Sequence, residues 1–283
     1  TEDTRAQLEW GFAEAGVELE DVDAVLLTHW HSDHTGLAGH VQSVSGASVY
    51  AHEADVPVVE GNALESLESL HEERFEEWGV PEAKRAENWE IATKAAGLSG
   101  DSPDVEALVD GDVVEAGDET LRVLHVPGHT AGLVAAVVEG TGTAFVGDAV
   151  LPVYTPNIGG ADLRVERPLA TYRDSLERLA AADFDRLYPG HRDDVEAPNE
   201  RIAEILHHHE ERTERVVDVL AEHGPATAWE VSAELFGELS GIHILHGPGE
   251  AYAHLVELEE AGHVERTGRE YTLLSAPDGE EAR

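Results

Sequence analysis

Leu8, Phe12 and Ala15 recur at helical spacing and Gly16 follows them, which predicts an amphipathic helix over 5–16 stopped by that glycine. Ala24-Val25-Leu26-Leu27 is a short apolar run with the character of a buried strand. The polar stretch 28–36 then leaves that strand as a loop, 36–44 is predicted as the next helix, and Ser48-Val49-Tyr50-Ala51 as another strand. Residues 60–98 change character: they are acidic and helical in pattern, with a break at Gly79-Val80-Pro81. Leu64, Leu67, Leu70, Phe75, Trp78, Trp89 and Ile91 give these helices apolar faces. Two readings stay open for this insertion, a helical hairpin packing its own face or a lid over a site.

From Val105 the pattern turns to strands. Val113-Val114, 121–126, 133–138 and 143–146 are strand-like, with turns at Gly117-Asp118, Gly128 and Gly140-Thr141-Gly142. A helix is expected over 168–182, with Leu169, Tyr172, Leu176 and Leu179 on one side, and Arg186-Leu187-Tyr188 as a last short strand. The register changes near residue 198. A long helix over 199–222, a helix starting at Thr227 with an acidic first turn, a helix over 249–261 and a hairpin over 264–274 follow. Helix, helix, helix and hairpin resemble a winged helix, so the chain divides into 1–200 and 201–283.

Charge adds a second picture. The chain has 283 residues with a net charge of −41, and of its 18 basic residues two are lysines, Lys84 and Lys94. The acids are spread among regular apolar positions, which argues against disorder. Such a surface resembles those of proteins from salt-loving archaea. At molar salt the Debye length is about 3 Å, so the self-repulsion is screened. The melting temperature is therefore expected to climb with added KCl. There is no cysteine, which excludes disulfides, thiolate ligands and cysteine nucleophiles, so a metal site must use His, Asp and Glu. No apolar run reaches the roughly 18–20 residues of a membrane span, and no signal-peptide pattern opens the chain, so a cytoplasmic location is expected.

Chemistry concentrates in Thr28-His29-Trp30-His31-Ser32-Asp33-His34-Thr35-Gly36. Alternate residues on a strand-exit loop share a side, so His29 and His31 converge while Asp33 and His34 point elsewhere. One loop thus offers ligands to two ions, and imidazole with carboxylate suits Zn²⁺ as well as Fe or Mn. Three more ligand types follow strand-like runs: His129 in Pro-Gly-His-Thr, Asp148 in Gly-Asp, and His191 in Pro-Gly-His.

In that order these motifs resemble the metallo-β-lactamase superfamily, over roughly residues 20–195. The resemblance implies an α+β, αββα sandwich holding two divalent ions. His29, His31 and His129 would bind the first, Asp33, His34 and His191 the second, and Asp148 would bridge them. Asp33 would also be catalytic, orienting the attacking water or taking its proton. Gly147 to Pro152, followed by Thr155 to Gly160, looks like the β-lactamase-like and glyoxalase II-like hydrolases that carry a C-terminal winged helix. Two departures stand out. The family's strands before the first helix are not matched, so an N-terminal segment is expected to be missing, in keeping with the absence of an initiator Met. Arg192 stands where the family often has glycine, as a surface residue or as a contact for an anionic substrate.

The function implied is hydrolysis of a small thioester or related ester by metal-activated water. A metal-dependent ribonuclease or phosphodiesterase is the enzymatic alternative, and a non-catalytic nucleic-acid-binding regulator the alternative of another class. Nucleic acid is disfavoured because the expected last helix carries Glu250, Glu257, Glu259 and Glu260 and no basic residue. The tail is read as a packing surface or substrate-site wall. Tyr154 and Asn157 are candidate substrate contacts, and His52 a candidate lining residue. His207-His208-His209 is expected on a solvated helix face, and His243 and His246 in a loop without a role.

Overall fold

The structure is a computed structural model and describes residues 1–96 and 100–277. Helix α1 (Glu2–Ala15) ends at Gly16 as its pattern predicts. Strand β1 (Ala24–Leu26) leads into the His-rich loop, whose end winds into a single turn, α2 (Ser32–Thr35). Next come α3 (Ala38–Ser45), β2 (Ser48–His52) and α4 (Val56–Val59). The acidic insertion forms α5 (Leu64–Glu77) and α6 (Glu82–Ala96) around the expected Gly79-Val80-Pro81 break. Its last two residues, 97 and 98, lie outside the described residues.

Strand β3 (Val105–Leu108) begins where the pattern turns to strands, and the four strand-like runs after it form β4 (Val113–Ala116), β5 (Glu119–His125), β6 (Val134–Val138) and β7 (Thr143–Gly147). After a long loop come α7 (Pro168–Ala181) and β8 (Arg186–Pro189). The tail is α8 (Pro198–His223), α9 (Ala228–Phe236), α10 (His243–Glu260) and the hairpin β9 (Val264–Thr267) and β10 (Glu270–Leu273). Thr227 and Glu230 close a reciprocal capping box at the start of α9, satisfying two helix-end donors.

Strands β1, β2 and β3 form a parallel sheet in that order, and β4 to β8 form a second sheet, antiparallel except for the β7–β8 pair. Side-chain alternation assigns each strand two faces. Leu26, Tyr50, Leu108, Val114, Val123 and Val134 pack together between the sheets. The outer face of the first sheet buries Val49 and Ala51 with Ala38 of α3 and Val59 of α4. The outer face of the second buries Leu124, Ala135, Val137 and Val146 under Leu169, Leu176 and Leu179 of α7 and Ile202 and Ile205 of α8. The layers are helix, sheet, sheet, helix. Strand ends from both sheets open on one rim, and there the ligand-type residues collect.

The tail shares a fourth core with the insertion. Phe75, Trp78 and Val80 pack with Val216, Leu220, Val231, Leu255 and Tyr271. Trp78 O accepts from Trp229 N at 2.9 Å, and Arg266 Nη1 donates to Glu77 Oε1 at 2.8 Å. No helix among the described residues is long and apolar enough to cross a membrane.

Two expectations are corrected. Helix α10 begins at His243 rather than near 249 and runs through Pro248. Gly247-Pro248-Gly249 reads locally as a break, since Pro removes one intrahelical donor, but Ile244, Pro248, Ala251, Leu255 and Leu258 form one buried stripe and packing carries the helix across it. His209 is fully buried rather than solvated, lying between α8 and α10 with its ring 5.6 Å from that of His254.

Candidate metal centre

His29 and His31 lie on the extended exit from β1, while Asp33 and His34 sit on the turn α2, where each residue rotates by about 100°. This change of backbone splits one short segment between two neighbouring clusters. The first is His29, His31 and His129. His31 Nδ1 stands 3.0 Å from His29 Nε2 and 3.1 Å from His129 Nε2. The second is Asp33, His34 and His191. Asp33 Oδ2 is 3.3 Å from His191 Nε2 and 3.6 Å from His34 Nε2. Asp148 lies between them, with Oδ1 3.6 Å from His34 Nε2 and Oδ2 3.7 Å from His129 Nε2 and 3.5 Å from His191 Nε2. Gly190 permits this approach, since a Cβ there would overlap His34 and Asp148.

The protonation pattern tests whether cations fit. His31 Nε2 donates to Ala161 O at 2.9 Å, and His129 Nδ1 donates to Asn157 O at 2.8 Å. In a neutral ring the other nitrogen then carries a lone pair. His31 Nδ1 and His129 Nε2 thus aim lone pairs at each other. Burial, opposed by the Ala161 carbonyl and by Asp162, lowers the pKa of His31. Burial and the neighbouring His31 push His129 down to about 4. Burial and the surrounding imidazoles push His29 far down as well. Protons are therefore a poor solution to this convergence, and a cation is a good one. Four ligands about 2.0–2.1 Å from one zinc ion stand roughly 3.3 Å apart, close to the spacings here.

At the second cluster, His34 Nε2 and Asp148 Oδ1 are buried without a hydrogen-bond partner. Burial acts to lower the His34 pKa, but Asp148 and Asp33 outweigh it and the net shift is upward. Burial acts to raise the Asp148 pKa, but His34, His129 and His191 hold it down. These two atoms face each other at 3.6 Å, beyond hydrogen-bond reach, and a cation held by both would satisfy them. The donor set at both clusters fits divalent ions.

A buried network holds this geometry. Asp162 accepts from Trp30 Nε1 at 3.2 Å and from Ala131 N at 2.9 Å, and Asp55 accepts from Trp30 N at 3.1 Å. Arg164 bridges the two carboxylates, 2.6 Å from Asp55 and 2.5 Å from Asp162. Trp30, between His29 and His31, is thereby fixed from two sides. The segment 157–162 supplies both carbonyls that orient His31 and His129. It is braced from α10: a Cβ on Gly159 or Gly249 would overlap the other segment's backbone, and Asn157 Nδ2 donates to His246 O at 3.1 Å.

A cavity of about 630 Å³ opens over Asp148, His129 and His191. Tyr154 and Asn157 both line it, as do Phe236, Leu239, His246 and Glu250, which the sequence pattern did not single out as site residues. The apolar stripe of α10, extended back to Ile244, was the signal that would have brought His246 into a helix. Among the described residues, none of the acidic insertion lines the cavity. His52 is not at the cluster: it is buried and stacks on His125 at 3.8 Å. Arg192 is exposed, with a φ of 72°.

A family model described as the metallo-beta-lactamase superfamily matches residues 1–191. A probable metallo-hydrolase of Bacillus subtilis is 28% identical over 272 residues, 92% of this chain and 83% of that protein. A thioesterase of Emericella nidulans is 26% identical over 213 residues, 72% of this chain and 46% of that protein, so the chain spans less than half of that relative. The crystal structure of a metallo-beta-lactamase family protein from Thermus thermophilus is similar with a TM-score of 0.81 and 32% identity, covering 95% of this chain and 85% of that one. The Bacillus and Thermus matches extend well past residue 191, so they take in much of the helical tail as well as the two sheets. The superfamily binds divalent metals, typically two. On the match across residues 1–191 and the likeness to the Thermus protein, the chain belongs to the metallo-beta-lactamase superfamily, a family of metal-dependent hydrolases.

Proposed function

We propose that this protein is a two-metal hydrolase of thioesters or related esters. In this reading His29, His31 and His129 hold one ion, Asp33, His34 and His191 hold the other, and Asp148 is shared. The donor set suits Zn²⁺ and is compatible with Fe or Mn. Divalent ions bound there would lower the pKa of a water toward neutrality and offset negative charge developing on the attacked group. Asp33, with its side chain 60% exposed, would orient the attacking water and take its proton. The orienting carbonyls of Ala161 and Asn157 hold His31 and His129 in one tautomer, and Trp30, fixed by Asp55 and Asp162, keeps the loop in register.

The observation that favours an ester over a phosphodiester is the cavity wall. Among the described residues it contains no Lys or Arg, but it contains Glu238 and Glu250. Nucleic acid binding needs basic groups along the phosphates, and the chain carries −41. A relative named as a thioesterase agrees with this choice. Residues 201–283 are read as a winged-helix-like unit used as a wall of the site rather than as a nucleic-acid reader, with 1–200 as the hydrolase unit. The acidic, lysine-poor surface is read as adaptation to high salt in a cytoplasmic protein.

The test is a side-by-side assay of metal-loaded protein in molar KCl on a thioester and on single-stranded RNA. Thioester hydrolysis lost on chelation and restored by metal is expected. Cleavage of RNA with no thioester turnover would replace this reading with the nuclease.

A further inference from the structure

The cavity over Asp148 has two walls of different origin. One comes from the segment after β7 and carries Leu151, Tyr154 and Pro156. The other comes from the end of α9 and the start of α10 and carries Phe236, Leu239 and Gly247. Apolar side chains also stand out toward solvent here: Tyr154 is 44% exposed and Phe236 39%. Val153 and Ile242, next to lining residues on opposite walls, are exposed as well. On a chain this acidic, a cavity walled and rimmed by apolar groups selects for an apolar ligand.

The charged groups point the same way. Glu250 is paired with Arg212 at 2.5 Å, and the Arg212 guanidinium lies 4.7 Å from the centre of the Phe236 ring. That cation is therefore already engaged. Glu238 is exposed and has no ion-pair partner among the described residues. An acyl group bearing its own carboxylate would meet Glu238 with no Lys or Arg among the described lining residues to offset it. Like charges in a cleft with low-dielectric walls repel more strongly than in open water.

Resting on the thioester reading, we propose that this cavity binds the acyl part of the substrate and selects uncharged, apolar acyl groups, aromatic or branched. Phe236 at the end of α9 and Glu238 and Leu239 in the connection to α10 are the specificity determinants. The reaction consumes one water. Its oxygen bonds to the acyl carbon, the carbon–sulfur bond breaks, and the sulfur leaves with the electron pair and takes up a proton as the thiol. The acid formed ionises at neutral pH, so the product carries a charge that the substrate lacked. Glu238 then disfavours retention of the product, and product inhibition is weak.

The test uses the full chain, metal-loaded, at the lowest salt at which it stays folded. Benzoyl, acetyl and succinyl thioesters of one neutral thiol, N-acetylcysteamine, are compared by kcat/KM. Benzoyl should exceed acetyl by about tenfold or more, the discrimination a few buried carbons provide, and succinyl should be slowest. Glu238→Lys should raise the succinyl-to-benzoyl ratio by about tenfold, equivalent to roughly 1.4 kcal/mol. Leu239→Ala should lower the benzoyl-to-acetyl ratio. Ratios within one preparation are insensitive to the fraction of protein that is folded. Equal rates for the three, or a succinyl preference unmoved by Glu238→Lys, would overturn the selectivity and leave the thioesterase reading intact. No turnover of any of them by metal-loaded protein would overturn both.

Discussion

The two halves of the centre are built differently. In the first, His29 is 1% exposed and His129 7%, and backbone carbonyls fix the outer nitrogens of His31 and His129. In the second, the side chains of Asp33 and His191 are 60% and 36% exposed. Among the described residues, no hydrogen bond holds the outer nitrogen of His34 or His191. The first half is pre-organised by packing and by the segment 157–162. The second half is more open to solvent at Asp33 and His191 and lacks such carbonyl tethers among the described residues, while each half sends one histidine, His129 or His191, to the cavity. The difference teaches that one chain segment, residues 28–36, serves a rigid anchor and a more open position at once, because its backbone changes from extended to helical after His31.

The largest effects should come from the rigid half. His129→Ala removes a proposed ligand that is buried and the Asn157 tether together, and kcat/KM should fall by at least about a thousandfold, roughly 4 kcal/mol of barrier. His191→Ala should lose less and should keep one ion per chain. Equal losses in the two variants, with equal metal contents, would break the comparison.

Gly249→Ala tests the brace without touching a ligand. The added Cβ would overlap Gly160 and push the segment that orients His31 and His129. Affinity for the first ion should fall about 10–100-fold, the usual cost of a lost orienting partner, while the second ion's affinity stays within about threefold. Competition with a chromophoric chelator reads both. A fall in melting temperature with both affinities unchanged would reduce α10 to a structural support.

A smaller, graded effect is expected in acid. Burial pushes His209 down to about 3 and His52 to about 4, with His254 also well below its ordinary value. Their folded pKa values lie below the unfolded value of 6.5, so the unfolded chain binds more protons between the two. The stability they give is complete above about pH 6.5 and is lost as pH falls toward 4, each contributing a slope of at most about 1.4 kcal/mol per pH unit. Chemical denaturation at pH 7, 6 and 5 checks this. His209→Gln should flatten the slope, and an unchanged slope would remove that residue from the account.

The strand-exit loop was legible through three histidines and an aspartate within six residues after an apolar run, and His129, Asp148 and His191 as ligand types in Gly- or Pro-containing turns after strand-like runs. The strands were legible as short apolar runs between Gly-containing turns, whereas the αββα layering came from the resemblance of the motifs and not from periodicity: β6 is apolar and buried on both faces. What orients the ligands was not legible. Asp55, Asp162 and the carbonyls of Asn157 and Ala161 act across 25 or more residues of chain, and no local pattern marks a carbonyl as an acceptor for an imidazole. The start of α10 was hidden for a related reason: Gly247-Pro248-Gly249 breaks a helix by propensity, and the packing of the buried stripe, with Gly249 close against 159–160, carries the helix across it. His209 was placed on a solvated face together with His207 and His208, which splay about 100° apart on a helix and cannot chelate together, although Ile202, Ile205, Val216 and Leu220 mark its side of α8 as buried.

Metal content per chain, followed by mass spectrometry during slow dialysis against a chelator, tests the unequal two-ion centre most directly. Two equivalents at the start, a plateau at one and a slow final loss are expected, with His191→Ala starting at the plateau. Loss of both ions in a single phase, or a wild-type content that never exceeds one, would contradict it.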